Sequence, residues 1–476
     1  MKNTTIQNLV LKYFTEICRI PHTTGNEKAL ATYVATQLEK FGAKVQIDKV
    51  GNVYAIKQGN LKVASVCLQA HLDMVGVKTP ESHHDFSKDP IKYYEENGWI
   101  KARDTTLGAD NGIGIAMILA AFANGADTHG QLEAIFTIQE ETTTYGAKHL
   151  PKGIIKSKYF INLDNEHDAS VVVGSCFSNE FIGNVKIIRT TSSSDTCNMI
   201  IKLGGGHSGH SGNDIHKKII NINVELFNML KTLRTKYEFS ILDVKTGSVT
   251  NSIPGECSVI IHTKHKIISN IKKTLLIQTN LLKETLPSYN KIMLTVESTF
   301  SKLKPLKLSD SDKLIHLVCA ANNGLNRYNF ERSVTELSTN LAIIKLQDAT
   351  ASIVWFQRSQ TNYFLDEINN KLISLFALAS GEWKIQNRDI GLKDNGDNIL
   401  TRNISQIAMK KFNHKMDIIQ VHGAIEIAEI MKNNTSVIPA AIGPNIVYPH
   451  TTNECVEIKS IMYIYALLQE LLKSLK

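Results

Sequence analysis

The chain has 476 residues, 43% hydrophobic and 21% charged, near globular averages, which sets aside the disordered, collagen-like and disulfide-scaffold classes. At about 150 residues per domain this length makes roughly two or three domain-sized units. The 53 Lys and Arg against 45 Asp and Glu leave a formal charge of +8, a modest surplus. The lysines, such as Lys217-Lys218 and those of 264–273, lack the interleaved aromatics that stack nucleic-acid bases.

Seven cysteines, Cys18, Cys67, Cys176, Cys197, Cys257, Cys319 and Cys455, are odd in number, far apart and never spaced as Cys-x-x-Cys. That argues against a disulfide framework or a zinc knuckle and for reduced thiols in the cytoplasm. The opening residues lack the basic start and unbroken apolar stretch of a secretory signal, and no later run reaches the length of a membrane span.

In chain order, Ile6, Leu9, Val10, Tyr13, Phe14 and Ile17 fall at helical spacing, with Thr4 or Thr5 as cap and Pro21 just beyond the end. A second helix is expected over 26–41, stopped by Gly42, followed by a hairpin over 45–56 that turns at Gly51-Asn52. The run 63–75 is almost continuously apolar and suits a strand buried on both faces, as do 132–138, 158–164 and 436–443. Helical patterns separate these runs, as in an α/β fold. Between 186 and 385 the texture changes to amphipathic strands alternating with helical patterns near 216–236, 309–323 and 361–378. The expected organisation is a catalytic domain made of 1–185 and 386–476, a mixed sheet flanked by helices, into which a smaller α+β domain of 186–385 is inserted. The Ser/Thr cluster 190–196 reads as a loop near the insertion boundary, and a helix over 456–476 closes the chain.

The chemistry-bearing residues sit at the ends of the apolar runs, where α/β folds place their sites. His71 and Asp73 stand in the order His-x-Asp, so along an extended chain both side chains point to one side and Asp73 can orient an imidazole that holds a metal. Gly108, Gly112 and Gly114 surround Asp110 at a helix entrance; Glu140 and Glu141, then Asp164, end two further runs, and His450 follows the last. Taken singly, a Glu pair is usually solvated surface, a Gly-rich turn only a turn and a lone His a satisfied polar residue. Together, two His and three or four carboxylates match a dinuclear zinc site with N and O ligands, donors that also accept cobalt or manganese.

The segments 70–75 (AHLDMV), 84–90 (HDFSKDP) and 99–116, the Glu-Glu pair, 161–164 (INLD), 209–216 (GHSGNDIH), 251–254 (NSIP), 335–340 (TELSTN), 357–359 (QRS), 422–426 (HGAIE) and 442–450 resemble the aminoacyl-histidine dipeptidase, or peptidase D, branch of the dinuclear zinc exopeptidase and amidohydrolase superfamily. The resemblance runs nearly the whole chain and is most specific over 70–114. It implies that the inserted domain acts as a lid. It also implies that His71, Asp110 and Asp164 hold one zinc and Asp110, Glu141 and His450 the other, with Asp110 bridging two cations roughly 3.5–4 Å apart. Glu140 would be the base toward a water activated there, with Asp73 fixing His71. In the lid, His210 and Asn251 would face a developing oxyanion, with His207 of the preceding His-Ser-Gly as a rival to His210. Arg358 would offer a bidentate fork to the substrate carboxylate.

The chain departs from the family pattern at Thr142-Thr143-Thr144-Tyr145, at Gly255 and in 391–398. The activity implied is a metal-dependent dipeptidase acting on short peptides, Xaa-His dipeptides and β-alanyl-histidine among them. The alternatives are an N-acyl amino acid deacylase or tripeptidase with the same dinuclear site, and a catalytically silent peptide-binding relative, against which an uncoordinated base beside the metals argues. The expected partner is a short peptide, with neither nucleic acid nor membrane, and a homodimer through the lid is compatible with an amphipathic lid helix.

Overall fold

The computed structural model describes residues 2–476 apart from 61, 125–127, 192–194, 394, 395 and 397, with the side chains of 2–8 also outside the description. The side chain of Ile6, part of the Ser/Thr cluster and part of 391–398 therefore lie outside the description. Two compact units emerge, one of Met1–Gly174, Leu392–Gln420 and Ile425–Lys476, the other of Ser175–Gly391 and Val421–Ala424. The chain thus passes between the units at 174/175 and 391/392 rather than at the expected 185/186 and 385/386, and again on either side of Val421–Ala424. Pairing gives the reason: Phe177–Lys186 pairs along its whole length with Thr350–Ser359, and Glu382–Asp389 lies on its other side, so all three strands share one sheet of the second unit.

The first unit is built on an eight-stranded sheet in the order Lys44–Ile47, Val53–Lys57, Leu132–Thr137, Val66–His71, Tyr159–Asn162, Ile438–Ala441, Ser170–Ser175, Asp417–Val421. Val66–His71 runs parallel to both Leu132–Thr137 and Tyr159–Asn162, and Ile438–Ala441 runs parallel to Tyr159–Asn162. The hairpin of the first two strands and Ser170–Ser175 join antiparallel, making the sheet mixed. Every residue of Val66–His71, Leu132–Thr137 and Tyr159–Asn162 is buried. Continuous apolar sequence is what a parallel strand covered on both faces requires. Phe14 and Ile17 of Lys2–Cys18, Ile113 and Met117 of Ala109–Ala123, and Leu467 and Leu468 of Ile458–Ser474 belong to the same core. Because the three central strands run the same way, the residues after their C-terminal ends reach one edge of the sheet.

A smaller four-stranded sheet in this unit has the order Ile446–Val447, Cys455–Glu457, Trp99–Ala102, Tyr93–Glu96. Its first two strands pair antiparallel and so fix both ends of the loop that carries His450.

The second unit has two antiparallel sheets. One is ordered Phe239–Lys245, Cys257–Lys264, Thr196–Gly204, Met293–Ser298, the other Gly324–Asn329, Val334–Gln347, Thr350–Ser359, Phe177–Lys186, Glu382–Asp389. Helices Ile222–Arg234, Leu308–Ala320 and Asn362–Leu378 correspond to the three expected helical patterns. A fourth, Ile268–Thr285, was not expected; its signal is Ile271, Leu275 and Thr279, four apart and buried on one face. Phe181, Trp355 and Phe376 meet at ring separations of 5.8–6.1 Å in its core.

Candidate active site

His71 ends its strand with 1% exposure. Its Nδ1 lies 3.0 Å from the backbone carbonyl of Asp73, and its Nε2 faces Asp110 Oδ1 at 3.0 Å and Asp164 Oδ1 at 3.4 Å. The Nδ1 contact leaves the ring hydrogen on that atom and Nε2 free to act as a donor of electrons. The carboxylate of Asp73 is farther from Nδ1, at 3.6 Å. That carboxylate accepts the N–H of Glu140 at 2.9 Å, the N–H of Glu141 at 3.2 Å and the hydroxyl of Thr24 at 2.9 Å. Asp73 thus orients His71 through its main chain and the Glu-Glu turn through its side chain. The turn begins at Gln139, at φ 51, and opens the short helix Glu140–Thr143 that contains Thr142 and Thr143.

Asp110 stands at the start of Ala109–Ala123, after Gly108 at φ 71, a left-handed conformation that favours glycine. Its two oxygens face different imidazoles: Oδ1 is 3.0 Å from His71 Nε2, and Oδ2 is 3.2 Å from His450 Nε2. Glu141 Oε2 approaches His450 Nε2 at 2.8 Å, while Glu141 Oε1 is buried without a hydrogen-bond partner. Asp164 Oδ1 accepts a hydrogen bond from Asn111 Nδ2. Among the described residues, three groups have one donor atom from each residue within 4.8 Å of the others: His71, Asp110 and Asp164; Asp110, Glu141 and His450; and His71, Glu140 and Glu141.

The electrostatics are those of a site crowded with negative charge. Hydrogen bonds to Asp110 and Glu141 push His450 up to about 11. Burial opposes protonation of His71, but Asp164, Asp110 and Asp73 together outweigh it and raise its pKa well above the ordinary value. Burial, with Asp164, Glu426 and Glu141 adding to it, raises Glu140 well above the usual carboxylate range. Converging imidazole and carboxylate donors, one carboxylate facing two imidazoles and a buried orphan oxygen on Glu141 fit a pair of divalent cations better than they fit a closed hydrogen-bond network.

Glu454 has no role in the sequence reading, yet it builds the Asp110 turn. Its Oε2 accepts the N–H groups of Leu107 and Gly108 at 2.7 and 3.0 Å, and its Oε1 those of Ala109 and Asp110 at 2.8 and 3.3 Å. One carboxylate therefore satisfies four consecutive amides at a helix entrance, where the backbone donors have no intrahelical partner. It stands four residues after His450, so the loop that presents His450 also holds the loop that presents Asp110. Glu454→Ala is expected to lower unfolding stability by about 1–3 kcal/mol, the cost of leaving buried donors unpaired, with Glu454→Gln falling between it and the wild type. Chemical denaturation of the metal-free protein measures both.

In the second unit, the Nδ1 of His210 accepts the N–H groups of Gly212 and Asn213 at 3.3 and 3.1 Å, leaving the ring hydrogen to Nε2. Arg358 Nη2 lies 3.4 Å from that Nε2. Arg358 is buried, with its guanidinium 4.6 Å from the Phe356 ring centre and Nη1 3.9 Å from Cys176 Sγ. Asn251 is exposed, and its carbonyl accepts the N–H of Ser211 at 2.8 Å. His207 packs instead against Tyr289, ring centres 5.5 Å apart. His422, absent from the expected set, holds Ser338 Oγ at 2.7 Å, and Ser338 is the strand partner of Arg358. Burial, then the charges of Arg358, His210 and His216, lower His422 to about 3.

The family profile described as Peptidase family M20/M25/M40 matches residues 67–474. The cytosol non-specific dipeptidase of Escherichia coli K12 is 30% identical over 467 residues, 97% of this chain and 96% of that protein. The crystal structure of aminoacylhistidine dipeptidase from Vibrio alginolyticus matches at a TM-score of 0.85 and 28% identity, covering 98% of this chain and 96% of that one. Aminopeptidase PepT from Bacillus cereus, at 16% identity, a TM-score of 0.54 and 98% coverage of both chains, shares the fold.

Proposed function

This chain belongs to peptidase family M20/M25/M40, and on that premise we propose that it is a dinuclear, zinc-dependent dipeptidase of the cytoplasm whose substrates include Xaa-His dipeptides. The observation that carries the reading is Asp110, whose two carboxylate oxygens lie 3.0 and 3.2 Å from the Nε2 atoms of His71 and His450. His71, Asp110 and Asp164 would hold one cation, and Asp110, Glu141 and His450 the other. When bound, such cations supply Lewis acidity to a carbonyl oxygen and bring the pKa of water toward neutrality.

The remaining steps belong to the chain's own groups. Asp73 fixes the Glu140 and Glu141 amides, so the two neighbouring carboxylates leave one turn with separate tasks. Glu140 takes a proton from the attacking water as its oxygen bonds to the peptide carbonyl carbon, then delivers it to the amine nitrogen as the C–N bond breaks. In the second unit, His210 Nε2–H donates to the oxygen on which negative charge develops, Asn251 adds a donor there, and Arg358 pairs with the free carboxylate of the peptide. The seven cysteines, all free, support a reducing compartment. Among the described residues no helix is long and apolar enough to cross a membrane. A homodimer through the second unit is supported by exposed Leu276, Ile277 and Leu281 on Ile268–Thr285 and by Met293 on the edge strand Met293–Ser298.

A panel of Gly-His, Leu-His, β-Ala-His, Ala-Ala, a tripeptide and an N-acetyl amino acid tests the reading. The expected result is cleavage of the free-amine dipeptides, abolished by a chelator and restored by zinc. Cleavage of the N-acetyl compound alone would replace the dipeptidase with a deacylase, and an inert zinc-loaded protein would leave a peptide binder.

A further inference from the structure

Three parallel strands end at the site, and a buried carboxylate outside both triads ties their ends together. Glu426 is the first residue of the short helix Glu426–Lys432 and is 1% exposed. Its Oε2 accepts Gln69 Nε2 at 2.6 Å and the Thr137 hydroxyl at 2.8 Å, and Gln69 Nε2 also lies 3.2 Å from that hydroxyl. Gln69 Oε1 accepts Asn162 Nδ2 at 2.6 Å, and Asn162 Oδ1 accepts the N–H of Asp164 at 3.1 Å. Gln69 stands two residues before His71, Thr137 three before Glu140, and Asn162 two before Asp164.

We propose that Glu426 is a positioning residue, a buried anchor that holds the C-terminal ends of Val66–His71, Leu132–Thr137 and Tyr159–Asn162 together so that His71, Glu140 and Asp164 converge. The backbone pairing of the first two strands ends at His71 and Thr137, and that of the first and third at Gln69 and Asn162. Beyond those points the backbone ladder ends, and side-chain ties among Glu426, Gln69, Thr137 and Asn162 take over from it. Placing Gln69, Thr137, Asn162 and Glu426 in an apolar interior is costly unless they satisfy one another. Their hydrogen bonds do so across all three strands, save for Oε1 of Glu426, which is buried without a hydrogen-bond partner.

The inference rests on the reading that these strand ends carry the metal and proton chemistry, and its test is made first on metal-free protein. In Glu426→Ala, amide exchange in peptides covering 69–73, 137–141 and 162–165 should accelerate about tenfold or more, the scale of a lost hydrogen bond to a charged group, while the distant strand Thr196–Gly204 keeps its wild-type rate. Zinc affinity, by competition with a chelating dye, should fall roughly 10–100-fold, the usual effect of removing a group that supports metal ligands from behind. Glu426→Gln keeps an acceptor oxygen and should stay near wild type, and Thr137→Val, lacking one donor, should fall between. Exchange that rises equally everywhere, or strand ends and zinc affinity that do not change in Glu426→Ala, would overturn the proposal. If Glu426→Ala does not fold, Thr137→Val decides: impairment beside an intact Glu426→Gln supports the anchor, and a wild-type Thr137→Val refutes it. Failure of the dipeptidase reading would appear in the wild-type substrate panel and leave these readouts unaffected.

Discussion

Glu140→Gln is expected to lower kcat by roughly 10²–10⁴-fold, the usual contribution of a positioned acid–base group, while KM and the number of bound cations stay as in the wild type. The substitution keeps the shape of the side chain and the N–H that Asp73 accepts, and it removes only the ability to carry a proton. Steady-state kinetics on a cleaved dipeptide, with metal analysis of the same sample, checks it. A variant that keeps its kcat would place the proton carrier elsewhere. One that loses its cations as well would show that Glu140 supports the centre rather than serving the substrate.

Asp110→Asn should empty both cation positions, whereas Glu141→Gln should weaken only the one on the His450 side. The asymmetry follows from geometry, because the oxygens of Asp110 face both imidazoles while Oε2 of Glu141 approaches His450. The expected loss of affinity for Asp110→Asn exceeds roughly 100-fold, the upper end of what removing a supporting group produces. Metal content after dialysis against a calibrated chelator measures it. Retention of one tightly held cation by Asp110→Asn would mean that the two triads do not share this carboxylate. Circular dichroism of the metal-free protein provides the control, since the Asp110 turn is held by Glu454 through backbone amides that the substitution leaves in place.

The residues of the proposed centre were legible because buried parallel strands announce themselves twice, by a nearly unbroken apolar run and by the polar residue where the run stops. The runs 63–75, 132–138 and 158–164 contain the observed strands Val66–His71, Leu132–Thr137 and Tyr159–Asn162. His71, Glu140, Glu141 and Asp164 stand at or just past their ends. Glu454 and Glu426 gave no such signal. Glu426 meets Gln69 from 357 residues away, and Glu454 meets Leu107 from 347 away. A buried Glu outside the apolar runs reads like a solvated one until the groups it accepts from are known. Gln69, a polar residue within an apolar run, links it to the neighbouring strands. The two-sheet construction of the second unit was hidden for a related reason: Phe177–Lys186 pairs with residues that follow more than 160 positions later, a partnership that local periodicity does not record.

The lane occupied by Ile438–Ala441, between Tyr159–Asn162 and Ser170–Ser175, has a consequence for biosynthesis. Tyr159–Asn162 is made hundreds of residues earlier, and Ser170–Ser175 has only late partners, Ile438–Ala441 and Asp417–Val421, so the growing polypeptide carries an unpaired edge on its main sheet and an unpaired strand beside it while the whole of 175–391 is translated. At about 5–20 residues per second that interval lasts roughly tens of seconds, long enough for an open edge to recruit another strand. The second unit can condense during the wait, but the first unit closes only when its late strands arrive. Newborn copies should therefore depend on chaperone shelter far more than the finished enzyme does.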